Sequence, residues 1–368
     1  MFLPSLDGGG AERAFVELAN GFASLGIRVD LVLVQTKGSF LAEVKTGVRV
    51  IDLKGGRTLY SILRMSRYIR SQRPDVVMSG LDTANVANWI ACWLAGVAQT
   101  AVLTQRSVLT ASWRQIHPLT AWLWIRLLGL VYRRARLVIG NSGGATADLR
   151  DNLDVNQDRL AVIHNSVDVS AITKLASEPL DHPWVSAGAP PIVLIAGSLT
   201  IRKDVPTTLR AFAHLRRSRN CNLVVVGEGA ERPNLERLVR ELGIQDSVFL
   251  AGFDRNAFRW MARARVLVNS SPSEGCPNVI LQALACGLQV VATNGLGGTS
   301  EILEGGRWGR LTPVGDDQAL AHAICQALDN PLPEDGRKRA TNFDPDATAK
   351  AYLRLLLPSW QGSAGEGS

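Results

Sequence analysis

The sequence predicts an α/β protein built from two parallel-sheet, Rossmann-like domains, on three observations. Strand-length apolar runs rich in β-branched residues alternate with helical-period segments through both halves of the chain, the pattern of parallel sheets covered by helices. The length of 368 residues exceeds what one ordinary hydrophobic core holds and suits two. Between the halves, Glu178 to Pro191 is rich in Pro, Ala and Gly, the composition of a connection. The expected division is a first domain over residues 1–170, a second over 171–342, a closing helix over 343–358 and a disordered tail over 359–368.

In the first half, Met1 to Leu6 is the end of a strand, and Asp7-Gly8-Gly9-Gly10 turns the chain into a helix from Ala11 to about Leu25. Three glycines let backbone pass close to a ligand, and the helix start that follows favours an anion. GGGAER is not the dinucleotide fingerprint, and no acid ends a second strand about 20 positions on. Ile27 to Val34 and Val48 to Leu53 are strands by their β-branched runs. The helix from Leu59 to Arg70 carries arginines three apart, a pattern of solvated faces and of binding surfaces alike, and Pro74-Asp75 closes it before the buried strand Val76 to Met78.

Thr83 to Gln105 has no charge, but Asn85, Asn88, Gly96, Gln99 and Thr100 interrupt it. A helix followed by the strand Ala101 to Thr104 is therefore expected in place of a membrane span. Gln105-Arg106-Ser107 falls at that strand's carboxyl end, where open α/β sheets bind ligands. Leu119 to Tyr132 is a very apolar helix accompanied by Trp113, Trp122 and Trp124, with Arg126 inside it and Arg133, Arg134 and Arg136 beyond. It fits a lipid-interface helix and equally a core helix whose arginines reach solvent. His117, ahead of Pro118, is a loop or helix-start residue. Leu137 to Asn141 is a strand ending at Ser142-Gly143-Gly144, and a helix follows to Leu153.

The second half opens with the strand Ile192 to Ala196 and the segment Gly197-Ser198-Leu199-Thr200-Ile201-Arg202-Lys203-Asp204. A helix through Leu209, Phe212 and Leu215 leads to the strand Asn222 to Val226, the turn Gly227-Glu228-Gly229, a helix to about Leu242, a strand at Val248 to Leu250, and Gly252-Phe253. The apolar run Ala264 to Asn269 then gives way to SEGCPNVILQALACG, Ser273 to Gly287. This is a strand, a turn and a helix: Pro277 sits near the first turn, where a missing N–H costs nothing, Val279, Ile280, Ala283 and Leu284 have core spacing, and Gly287 stops the helix. It sets the carboxylate of Glu274 beside free helix-start N–H groups, a place to hold hydroxyls and phosphate oxygens. Val290 to Thr293 and Gly295 to Gly298 follow as strand and glycine-rich loop, Ala319 to Leu328 is a helix, and the last helix runs from about Asp346 to Leu357.

Composition narrows the class. Apolar residues at 46% with 20% charged describe a globular chain. Five scattered cysteines, at 92, 221, 276, 286 and 325, form no CxxC or Cys/His cluster, which points to a reduced cytosolic protein without structural zinc. No basic leader opens the chain. The net charge of +7 is uneven: residues 1–168 carry 19 Lys and Arg against 13 Asp and Glu, residues 169–368 carry 21 against 20, and no acid lies between Asp82 and Asp148. An anionic neighbour for the first half is expected.

From Gly8 to the last helix the chain resembles the retaining GT-B glycosyltransferases of family 4, on GGAER, the Lys203 segment and SEGCPNVILQALACG. The resemblance implies the GT-B fold, two domains facing each other across a cleft, with the last helix returning to the first. It implies that Gly9, Gly10 and Gly297 offer amides to the donor diphosphate, that Lys203 holds its phosphates, and that Glu274 with the backbone at Gly275, Cys276, Pro277 and Asn278 holds the donor sugar. Phe253 is carried over as a nucleobase-site residue, its alternative being a packed loop aromatic, and Asn165 lies in what resembles the family's hinge, with His164 structural. Three departures are plain. Ser198 stands where the family has an Arg, so Arg202 is offered as a substitute; Gln282 stands where it has a second Glu, at the ribose; and the first strand is shorter by several residues, through a misassigned start or a short strand.

The implied activity is transfer of a sugar from a nucleotide-diphosphate sugar to a hydroxyl of a glycan or lipid-linked acceptor in cell-surface polysaccharide synthesis. The departing phosphate takes the acceptor's proton, so no protein nucleophile, cofactor or metal is expected, and no Asp-x-Asp motif is present. The expected partners are the donor, the acceptor and an anionic membrane surface, with no nucleic acid; the expected location is cytoplasmic, peripheral at the inner face of the membrane. Ser198 and Gln282 leave a second hypothesis open: a protein of the same fold that binds nucleotide or glycan with weakened turnover.

Overall fold

The computed structural model describes residues 1–7, 9–113 and 118–360. Gly8, Arg114, His117 and the expected disordered tail from Gln361 lie outside the described residues. The chain forms two compact units, residues 1–166 with 345–368, and residues 167–344.

The first unit holds a seven-stranded sheet: β1 (Phe2–Leu3), β2 (Val29–Leu33), β3 (Val48–Asp52), β4 (Val77–Gly80), β5 (Ala101–Gln105), β6 (Leu137–Gly140) and β7 (Leu160–Val162). Its order is β3-β2-β1-β4-β5-β6-β7, every pairing parallel. On one face the helices Gly10–Ser24 and Pro345–Leu356 pack against Leu3, Leu31, Leu33, Met78 and Val102. On the other, Ile62–Gln72, Asp82–Ala95 and Pro118–Arg134 cover Phe2, Val32, Val77, Leu103 and Val138. Strands buried on both sides explain why these runs are continuously apolar.

The second unit holds β8 (Ile192–Ala196), β9 (Asn222–Val226), β10 (Val248–Gly252), β11 (Val266–Asn269), β13 (Gln289–Thr293) and β15 (Arg310–Thr312), in the order β10-β9-β8-β11-β13-β15, again all parallel. A separate parallel ladder pairs β12 (Ser273–Glu274) with β14 (Leu296–Gly297).

Several element boundaries differ from expectation. The first strand is two residues rather than six, and Met1 ends inside the sheet with its ammonium donating to the Asp30 carbonyl at 2.7 Å. Ahead of it lies a slot of about 290 Å³ lined by Val29, Met65, Ile69, Val77, Leu353 and Leu356. Leu59–Ser61 is a 3-10 turn, and the helix proper runs Ile62–Gln72. Its arginine stripe is not uniformly solvated: Arg64 donates to the carbonyls of Leu53 and Lys54, and Arg70 to that of Leu94. The short helix Leu109–Trp113, the helix Val169–Ala176 and strands β7 and β15 add to the expected elements.

Candidate functional site

In the second unit β8 lies mid-sheet, with β9 and β10 added to one side and β11, β13 and β15 to the other. The strand order therefore reverses between β8 and β11, and the crevice beyond their carboxyl ends is where sheets of this kind take ligands. Gly197, Ser198, Lys203, Asn269 and Ser270 line it.

The turn after β8 is held by its neighbours. The chain bends at Gly197 and, after β9, at Gly227, which have φ of 142° and 147°; a Cβ on Gly227 would lie 1.8 Å from the Gly197 carbonyl oxygen, so no larger residue fits there. Lys203 ends the 3-10 turn Ile201–Lys203, Asp204 is left-handed at φ 44°, and the helix Val205–Arg216 follows. From the end of β11, the buried Ser270 hydroxyl faces the Lys203 and Asp204 carbonyls at 3.1 and 2.8 Å and accepts from Thr208 Oγ1 at 2.9 Å. The backbone of residues 203–204 is thereby fixed to the strand across the crevice. The Lys203 ammonium reaches back and forms an ion pair with Glu274 Oε1, the two side chains 26% and 17% exposed.

Glu274 is fixed as firmly. Its strand pairs with Leu296–Gly297, the Gly298 N–H donates to its carbonyl at 3.0 Å, and the Leu296 N–H donates to that of Pro272 at 3.0 Å. Thr293 Oγ1 adds a bond to the Ser271 carbonyl at 2.7 Å. Gly295 is required by this approach, since a Cβ there would sit 2.3 Å from the Pro272 carbonyl oxygen. The loops after β11 and β13 thus form one piece that carries Glu274 and Gly297 side by side. Behind them, Gly275, Cys276 and Pro277 are buried, and Pro277 caps the helix Asn278–Ala285, which anchors on Ile280, Leu281, Ala283 and Leu284 and turns out at Gly287, φ 74°. Asn278 and Gln282 lie one turn apart and half-buried, and Gln282 has no side-chain hydrogen bond among the described residues.

Of the expected site residues, Lys203, Glu274, Gly275, Cys276, Pro277, Asn278, Gln282 and Gly297 gather around these carboxyl ends. Arg202 is exposed and forms no ion pair among the described residues. Phe253 follows β10 at the sheet edge, 74% exposed rather than packed. Gly9 and Gly10 are in the first unit, where Gly9 caps the helix Gly10–Ser24 in extended conformation without a side-chain cap. The Glu12 carboxyl lies directly over Gly9, 2.2 Å from where its Cβ would be, so an acid already attends this helix start.

Sequence reasoning passed over Ser270 and Thr208, polar residues whose role exists only across the crevice. It also passed over Asp82, the acid that opens the first unit's uncharged stretch. Burial pushes the Asp82 carboxyl up to about 6, opposed by a hydrogen bond from Gln105.

Residues 8–171 match the model of Glycosyltransferase Family 4, and residues 190–330 that of Glycosyl transferases group 1. The chain belongs to the family 4 (group 1) glycosyltransferases. This glycosyltransferase is 26% identical over 97% of its length, and 98% of the relative's, to the N-acetylgalactosamine-N,N'-diacetylbacillosaminyl-diphospho-undecaprenol 4-alpha-N-acetylgalactosaminyltransferase of Campylobacter jejuni. It is 27% identical over 95% of its length, and 96% of the relative's, to the lipopolysaccharide core biosynthesis glycosyltransferase LpsE of Rhizobium meliloti. Among solved structures, Anabaena HepE in complex with UDP-glucose superposes with a TM-score of 0.80 over 96% of this chain and 98% of that one, at 22% identity, which establishes the GT-B fold.

Proposed function

We propose that this glycosyltransferase moves a sugar from a nucleotide-diphosphate sugar to a hydroxyl of a lipid-linked glycan, with retention of anomeric configuration and without a metal. The observation that carries the reading is the Lys203–Glu274 ion pair at the strand-reversal crevice of the second sheet. An ammonium and a carboxylate held together on rigid backbone suit a substrate that is a diphosphate at one end and a polyol at the other. The names of the relatives, which act on diphospho-undecaprenol glycans and lipopolysaccharide core, support the acceptor class, and the UDP-glucose bound by HepE supports the donor class.

In this reading Lys203 meets the charge that grows on the departing diphosphate, joined by Arg202 and by the amide at Gly297. Glu274 accepts hydrogen bonds from the donor sugar's hydroxyls, with the backbone of Gly275, Cys276, Pro277 and Asn278 closing the sugar pocket. Gln282 uses its amide to accept from one ribose hydroxyl and donate to the other's oxygen. Phe253, exposed beyond β10, is available to the nucleobase. The leaving phosphate oxygen takes the acceptor's proton as the new glycosidic bond forms on the same face.

The test is mass spectrometry of the full chain incubated with a panel of nucleotide sugars and a short-prenyl diphosphate glycan, with and without EDTA. One sugar added to the acceptor is expected, unchanged by EDTA, with Lys203→Ala slower by about 10²- to 10³-fold. Product absent with every donor, or Lys203→Ala at the wild-type rate, rejects the assignment.

A membrane surface completes the reading. The helix Pro118–Arg134 buries Leu128, Val131 and Tyr132 but exposes Trp122, Leu123, Arg126, Leu130 and Arg134, and the Arg126 guanidinium lies 5.1 Å over the Trp122 ring. Trp93 and Leu63 are exposed on neighbouring helices of the same face, and Tyr60 on the 3-10 turn that leads into one of them. No helix among the described residues is long and apolar enough to cross a membrane. Aromatic and aliphatic side chains interleaved with arginines suit shallow docking on anionic lipid, where a lipid-linked acceptor is presented.

A further inference from the structure

Among the described residues, the Lys203 ammonium and the Glu274 carboxylate have side-chain partners only in each other. The two side chains are 26% and 17% exposed, so each charge has given up most of its hydration and depends on the other. Neither backbone lets its side chain drift to a different partner. The Ser270 hydroxyl at the Lys203 and Asp204 carbonyls fixes one, and the ladder of Ser273–Glu274 with Leu296–Gly297, closed by the Gly298 N–H on the Glu274 carbonyl, fixes the other. Arg202, the adjacent cation, is exposed and forms no ion pair among the described residues. The empty site is therefore neutral and self-paired, and a ligand enters it by exchanging one partner for another.

Ligands are then weighed by what they return to the carboxylate. A diphosphate draws on the ammonium and sets its own negative charge against Glu274. An intact nucleotide sugar brings, on the same molecule, hydroxyls that donate to the carboxylate and replace what the ammonium supplied. The nucleoside diphosphate left after transfer brings none. It is also more highly charged: a terminal phosphate that has lost its ester partner gains a second ionisation with pKa about 6, so near neutral pH it holds roughly one more negative charge than the donor did. That charge develops on the oxygen that faced the sugar, towards the acid.

We propose that the Lys203–Glu274 pair biases the site against its own product: a bare nucleoside diphosphate takes Lys203 only by leaving Glu274 without a partner, whereas the donor satisfies both. Glu274 thus has a second task besides holding the sugar, the release of the spent nucleotide. This inference rests on the donor class proposed above.

The experiment measures, by titration calorimetry on the full chain, the Kd of the donor identified in the panel and of its nucleoside diphosphate, UDP-glucose and UDP where the base is uracil. Wild type, Glu274→Gln, Glu274→Ala and Lys203→Ala are compared. Neutralising or deleting the acid frees the ammonium and removes the repulsion. The diphosphate is expected to bind both Glu274 variants about tenfold more tightly than wild type, and the donor about tenfold more weakly. Shifts of opposite sign are not what a loosened or misfolded site produces, and the thermal midpoint without ligand checks folding. Lys203→Ala weakens both ligands. Diphosphate binding to the Glu274 variants within about twofold of wild type, or weakened along with the donor, overturns the inference and leaves the transfer reaction standing. So does a diphosphate Kd that Lys203→Ala leaves unchanged. A wild type that binds no nucleotide and transfers from no donor removes both.

Discussion

Lys203 and Glu274 are 71 positions apart and were legible by different routes, Glu274 as a carboxylate set beside a helix start after a strand and Lys203 only through the segment that resembles the family. What joins them was not legible. The Ser270 bonds that pin residues 203–204 depend on β8 lying next to β11, and neither residue's neighbourhood in sequence announces it. Asp82 was overlooked for a different reason: an acid on the first turn of a helix is ordinary, and only its burial sets it apart. The two departures from the family, Ser198 and Gln282, raise the question of weakened turnover, and Arg202 bears on it. Exposed and without an ion pair among the described residues, one position before Lys203, it is under the proposed function the cation that an Arg at 198 would duplicate. The double variant Ser198→Arg with Gln282→Glu is therefore expected to stay within about threefold of the wild-type kcat/KM. A gain of tenfold or more would instead mark the natural site as decayed.

At the level of single elements, long apolar runs such as β9 and β13 were plain from composition, whereas β15 was not. Only Leu311 of its three residues is aliphatic, and Arg310–Thr312 is a strand because β13 offers it a partner. The two-residue β1 has an energetic consequence. Burial lowers the Met1 ammonium from an ordinary value near 8 to about 6, the Asp30 charge opposing that fall. The folded state thus binds this proton less tightly than the unfolded chain does. Its penalty is fully present below pH 6 and disappears as pH rises through 8, a stability gain of up to about 2–3 kcal/mol over that window. Chemical unfolding of the full chain at pH 6 and pH 8 measures it, and acetylating the N-terminus is expected to flatten the difference. Four apolar residues placed ahead of Met1 should stabilise further, by entering the slot beside Val29 and Val77 and lengthening β1 alongside β2.

For the whole molecule, the alternation of strand and helix announced two parallel-sheet units, but periodicity could not say to which unit the closing helix belongs. Tyr352, Leu353 and Leu356 answer that by packing into the first unit's core beside Phe22 and Leu31. Charge was legible at this scale as well, and its meaning depends on the exposed aromatic residues that accompany it. Flotation with vesicles of anionic lipid is expected to carry the full chain upward at low salt. Trp122→Ala with Arg126→Glu should reduce the floated fraction by about tenfold, and neutral vesicles should leave the protein behind. Equal recovery of wild type and variant on anionic vesicles would remove the bilayer from the proposal.

The placement of Pro345–Leu356 in the first unit has a consequence for biosynthesis. A ribosome delivers residues 167–344 complete while the earlier-made sheet still lacks the helix that covers Phe22 and Leu31. The half translated first is therefore finished only after the second, its oily flank waiting on the codons of residues 345–356, and a premature stop anywhere before Tyr352 injures the opposite end of the polypeptide from the one it shortens.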